Sequence, residues 1–155
     1  MSRIPVFVHS NVLADLRPAP INPSWILEGK PIANVAEIQR SHDGNALTLV
    51  WSCTPGKFNW FYDSDETLYL LEGVVFLDEG LPTERRIGPG DVVFFPAGSH
   101  AQWRVETAVR KVAFLRRGLP ARVTKMVNVL RKFRNLRSGS RNSGFAGSGF
   151  GSPVT

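Results

Sequence analysis

Two aromatic residues on alternate positions, Trp60 and Tyr62, lead through an acidic turn with Asp63 and Asp65 to Glu66, which opens an apolar run ending in Glu72 and Gly73. A carboxylate so placed does chemistry if it faces a pocket. An apolar surround then raises its pKa and makes it a general acid or base, while the Tyr62 phenol donates a hydrogen bond to substrate or to developing negative charge. Glu66 and Tyr62 are therefore the candidate catalytic pair. The competing reading is that Glu66 is the polar shoulder of a hairpin. An inward carboxylate is costly to bury alone, so Glu66 must face a wet cavity or be satisfied by a donor such as Tyr62.

Other reactive residue types carry less. Asp63 and Asp65 lack the loop of oxygens that a calcium site needs and are expected to form a solvated turn. Cys53 has no histidine near it in the pattern, so a buried strand cysteine is the default, and as the lone cysteine it makes no internal disulfide. His9 falls in the lead segment and His42 in a turn, both expected to be solvated. The segment "GPGD" precedes a strand rather than opening a helix, which argues against a phosphate-cradling loop.

The elements that must position these residues are short strands. The run "ALTLVWSC" puts Leu47, Leu49, Trp51 and Cys53 on one face and Thr48 and Ser52 on the other, as a half-buried strand requires. Asp43-Gly44 marks the hairpin turn between it and "NVAEIQRS". The runs "TPGKFNWFY", "TLYLLEGVVFLD", "RRIGPGDVVFFPAG" and "HAQWRVETAVRKVAFLRR" follow, separated by Gly or Asp turns and rich in β-branched and aromatic residues. With 155 residues, 43% of them hydrophobic, and with 14 glycines and 11 prolines, the chain is sized for one all-β sandwich or barrel.

Charge is distributed unevenly. Residues 1–120 hold 12 Lys+Arg against 13 Asp+Glu, whereas residues 121–155 hold seven basic residues and no acid. The net charge of +6 therefore belongs to the end of the chain, and it says nothing about nucleic acid binding by the body. From Pro120, Val123, Met126, Val127, Leu130 and Phe133 recur at helical spacing among Arg122, Lys125, Arg131, Lys132 and Arg134, which predicts a basic amphipathic helix over 120–137. A Gly/Ser-rich tail over 138–155 is expected to stay disordered. Charge and proline break the N-terminal apolar patch before a signal sequence or membrane span could form, so a cytoplasmic protein is expected.

The segments "WILEGKP", "WSCTPGKFNW", "YLLEG" and "GPGDVVFFPAG", in that order between Pro23 and Arg117, resemble the cupin superfamily, and within it small cupins related to the cupin domain of (S)-ureidoglycine aminohydrolase. The resemblance implies an all-β, cupin-type (RmlC-like) jelly-roll barrel over 23–119, preceded by a lead segment over 1–22, and a homodimer. Metal-binding cupins carry H-x-H-x(3,4)-E-x(6)-G and G-x(5)-P-x-G-x(2)-H-x(3)-N. Glu66 with Gly73, and Gly90 with Pro96 and Gly98, match the skeleton of these motifs. Trp60, Tyr62 and Ala101 stand where the histidines would be, and Val105 where the asparagine would be. A divalent ion needs several converging N or O donors, so no metal and no other cofactor is expected. If Ala101 faces inward on its strand, His100 faces out, unless a bulge at Gly98-Ser99 turns it in.

The resemblance brings Trp60, Tyr62, Glu66, Ala101 and Trp103 to one cavity, either as the lining of a ligand pocket or, for the aromatics, as barrel filling. Three functions remain open at this stage. The first is a metal-free barrel that binds or senses a small molecule. The second is a hydrolase of a ureido or amide-type C–N bond, as the resemblance implies. The third is an interaction protein acting through its basic C-terminal tail: residues 121–141 could contact nucleic acid or an anionic membrane, whereas the commonest fate of such an apolar stripe is to pack on the barrel or a second subunit.

Overall fold

The computed structural model describes residues 15–118. The helix expected over 120–137, the tail beyond it and His9 lie outside the described residues. Strands β1 (Arg17–Pro18), β2 (Ile26–Glu28), β3 (Ala33–Arg40), β4 (Ala46–Cys53), β5 (Gly56–Phe61), β6 (Asp65–Asp78), β7 (Arg85–Ile87), β8 (Val92–Phe95) and β9 (His100–Arg116) follow one another, with a 3-10 turn at Pro23–Trp25. The described chain is all-β, as the alternation and the turn residues dictate. Among the described residues no helix is long and apolar enough to cross a membrane.

All pairing is antiparallel and is organised by the two longest strands. β9 pairs with β5 through its first part and with β4 through its last, while its other edge runs along β6 from Asp78↔Gln102 to Asp65↔Arg116. β6 in turn pairs with β8 near its start and β7 near its end. β3 extends the sheet from β4, and β1 and β2 pair with β3 and β5. The sheet is thus curled as in a jelly roll. Pairing takes in Arg17 and Pro18, and Ile21 is buried in the core, so the fold engages residues ahead of Pro23.

The curl has a local cause. The register between β6 and β9 shifts at Leu70/Glu72, Glu72/Val74 and Val74/Val75, a bulged stretch centred on Gly73 at φ 84°. A Cβ on Gly73 would collide with the Ala108 carbonyl oxygen, so close backbone approach as well as positive φ demands glycine there. The hairpin turn between β3 and β4 has the expected form. Gly44 takes φ 71°, and Asp43 accepts hydrogen bonds from Ser41, from the Asn45 backbone N–H and from the Asn45 side chain.

Strand alternation sets the core. Trp51 and Cys53 of β4, Phe58 of β5, Leu68, Leu70, Val75 and Leu77 of β6, and Ala101, Trp103, Val105 and Val109 of β9 all turn inward. The opposite face of β8, β6 and β9 leaves Val92, Phe94, Tyr69 and Phe114 exposed.

Candidate functional site

β5 and β9 carry the expected residues into the interior by parity. Trp60 pairs with Ala101 and Phe58 with Trp103, so these side chains share the inward face, and Tyr62 follows directly after β5. Ala101 is fully buried. His100, one position on, is exposed and stacks on Phe61 with centroids 5.8 Å apart, so it points away from the interior. His42 is exposed in its turn.

The aromatic residues pack on one another. Trp103 stacks on Phe58 at 6.1 Å and meets Trp51 edge-on at 5.9 Å, while Trp51 also meets Trp60 at 5.8 Å. Trp103 Nε1 donates to the Tyr62 hydroxyl at 3.0 Å, and the Tyr62 ring lies flat on Phe95 at 4.2 Å. Burial pushes the Tyr62 phenol well above its ordinary pKa; the nearby Glu66 charge adds to the rise, and the Trp103 hydrogen bond only partly opposes it. Trp60 is half-buried at the margin of this group. Trp25, from the 3-10 turn, meets it edge-on at 5.7 Å and also packs on Phe61 at 5.2 Å.

Glu66 is buried, and its donor is Lys111 rather than Tyr62. Lys111 Nζ donates to Glu66 Oε1 at 2.6 Å, with the side chains 5% and 8% exposed. The ammonium also lies 5.0 Å from the centroid of Trp51 and 4.8 Å from that of Trp103. Lys111 pairs directly with Trp51 across β4 and β9, whereas Glu66 lies opposite Leu115. Between these two rows on β9 is Ala113, whose small side chain leaves room for the lysine to extend toward the carboxylate. Sequence reasoning missed Lys111. The signal was present, because Ala101, Trp103, Val105, Val109, Lys111 and Ala113 all share odd positions on one strand. Lys111 was overlooked because it stands among other basic residues, Arg110, Arg116 and Arg117, toward the strand's end.

These residues do not fit a divalent ion. Glu66 commits an oxygen to an ammonium, and an indole, a phenol and a methyl group stand at the neighbouring motif positions. Among the described residues no three His, Cys, Asp or Glu side chains gather as a metal site. Cys53 is buried, and desolvation pushes its thiol up to about 12 against the opposing pull of Lys111, so it is no nucleophile. Asp63, in the turn, accepts a hydrogen bond from Ser64, and Asp65, the first residue of β6, accepts one from the Ala97 N–H.

A model of the EutQ-like cupin domain matches residues 40–113. No curated protein sequence matches the chain significantly. Among solved structures, the chain is similar to a DUF861-family protein of unknown function from Pseudomonas syringae pv. tomato, at 25% identity and a TM-score of 0.62, covering 68% of this chain and 46% of that one. It also resembles the polyketide cyclase RemF from Streptomyces resistomycificus, at 16% identity and a TM-score of 0.53, covering 74% and 82%. KdgF from Halomonas sp. is similar at 14% identity and a TM-score of 0.51, covering 72% and 96%. The last two likenesses concern the fold alone. The chain spans less than half the length of the Pseudomonas protein. The inward turn of Trp60, Tyr62 and Glu66, the bulge at Gly73 and the matched segment point the same way: over residues 40–113 the chain is similar to the EutQ-like cupin domain.

Proposed function

We propose that the chain is a metal-free cupin barrel that binds or senses a small molecule. The observation that carries this reading is the Glu66–Lys111 pair, which gives the interior carboxylate a cation from the chain itself. The ligand would enter where the aromatic group reaches the surface, at Trp25, Trp60 and the exposed Phe61. Such faces suit an apolar or cationic organic molecule. A fold shared by proteins as different as a polyketide cyclase and KdgF does not by itself select a chemistry.

The alternative is a hydrolase of a ureido or amide-type C–N bond, with Glu66 as acid or base and Tyr62 as donor. The geometry favours it less. A general base needs a carboxylate free to take a proton, and Glu66 is held by Lys111 at 2.6 Å.

We also propose that the barrel is one half of a homodimer. Val92, Phe94, Tyr69 and Phe114 are exposed on neighbouring strands of one outer face, an apolar surface that a second copy would cover.

Metal analysis of the purified protein, with thermal unfolding in added manganese, nickel or zinc, tests the main reading. The expected result is substoichiometric metal and an unchanged Tm. Near-stoichiometric metal that raises Tm overturns it. Sedimentation of the wild type and Phe94→Lys tests the dimer, which the variant is expected to split.

A further inference from the structure

Buried lysines are rare unless paired, and Lys111 is held by more than a pair. Its Nζ stands between the Glu66 carboxylate and the faces of Trp51 and Trp103. We infer that Glu66, Trp51 and Trp103 form a binding site for a primary ammonium group, which the Lys111 side chain occupies as a resident ligand. The inference rests on the metal-free reading and adds the chemical class that the interior accepts.

The chemistry of the walls selects that class. A carboxylate oxygen takes one N–H of an ammonium group, and two indole faces attract the remaining positive charge through their quadrupoles. Divalent ions demand several oxygen or nitrogen donors, which indoles do not offer.

The walls are also fixed independently of their occupant. Trp103 is held by its hydrogen bond to Tyr62 and by its stack on Phe58, and Trp51 by edge contacts to Phe58, Trp60 and Trp103. The cage therefore keeps its shape, and the Glu66 carboxyl its place in it, when the lysine stem is shortened. Lys111→Ala removes three methylenes and the ammonium, leaving a void that matches a short alkylammonium ion.

The test is thermal unfolding of Lys111→Ala in ethylammonium or n-propylammonium chloride against equal sodium chloride and tetramethylammonium chloride. The primary amines are expected to raise the Tm of this variant by about 5 °C at saturation. They should leave the wild type and Lys111→Met, whose cage remains filled, unmoved. Equal shifts in all salts, or an equal shift in the wild type, overturn the proposal. If Lys111→Ala does not fold, NMR of the wild type decides. One lysine should show ε-methylene protons shifted upfield by the indole rings, with a slowly exchanging ammonium, and lysine signals all at random-coil positions overturn the proposal. The two readings fail separately. Bound metal in the wild type removes the metal-free reading, whereas absent amine rescue in a metal-free protein removes only the ammonium site.

Discussion

Trp103 donates its indole N–H to the hydroxyl of Tyr62 at 3.0 Å, joining the first part of β9 to the residue that follows β5. The bond occupies the phenol oxygen as an acceptor, and burial keeps the phenol protonated far above neutral pH. Tyr62 is thus a neutral group held flat on Phe95, with donation as its remaining polar capacity.

Replacing Trp103 by phenylalanine preserves an aromatic ring while removing that donor. It also takes away one of the two indole faces over Lys111. The expected loss of stability is about 2–4 kcal/mol, the sum of a buried unmade hydrogen bond and a weakened cation–π contact. Urea unfolding followed by fluorescence checks it, and a loss below about 0.5 kcal/mol would show that neither contact matters.

The Glu66–Lys111 pair predicts a strongly non-additive cycle. Lys111→Met strands a buried carboxylate and Glu66→Leu strands a buried ammonium, so each single change is expected to destabilise by about 3–5 kcal/mol. The double variant replaces both with apolar groups and is expected to recover most of that loss. Additive losses in chemical denaturation would mean that the two side chains do not interact.

Cys53 is expected to be inert in the folded protein. Its thiol is pushed up to about 12, and its Sγ is engaged with the Thr54 carbonyl oxygen. A thiol reagent at pH 8 should label it only after denaturation, and prompt labelling of the native chain would contradict the burial.

Asp43 gives a pH dependence with a definite sign. Hydrogen bonds from Ser41 and then Asn45 lower its pKa from 3.8 to about 2. A depressed carboxylate stabilises the folded turn above the unfolded pKa, and that contribution is lost as pH falls toward 2. NMR titration should place the Asp43 midpoint near 2, with the Gly44 and Asn45 amides shifting in the same window. A midpoint near 4 would show that the turn's hydrogen bonds are not formed in solution.

Much of the fold was legible because strand parity is a local rule. Trp60, Tyr62, Glu66, Ala101 and Trp103 turn inward, and His100 turns out, as alternation requires. The glycine positions of the turns were equally plain. The partner of Glu66 was harder, since it comes from a strand 45 residues away. Pairwise closeness at that range depends on the register between β6 and β9, which the bulge around Gly73 shifts and no local pattern discloses. Trp25 was hidden for a different reason. It sits in a 3-10 turn without periodicity, yet it packs against both Trp60 and Phe61. The two-residue strand at Arg17–Pro18 is too short to leave any alternation at all.

Strand β9 shares its edges with β4, β5 and β6, so three earlier strands wait for one that is made after them. During synthesis on a ribosome those strands stay without their common neighbour until Arg116 has left the exit tunnel. The nascent chain must pass through that interval with open backbone edges, when pairing with a neighbouring polypeptide is the principal hazard.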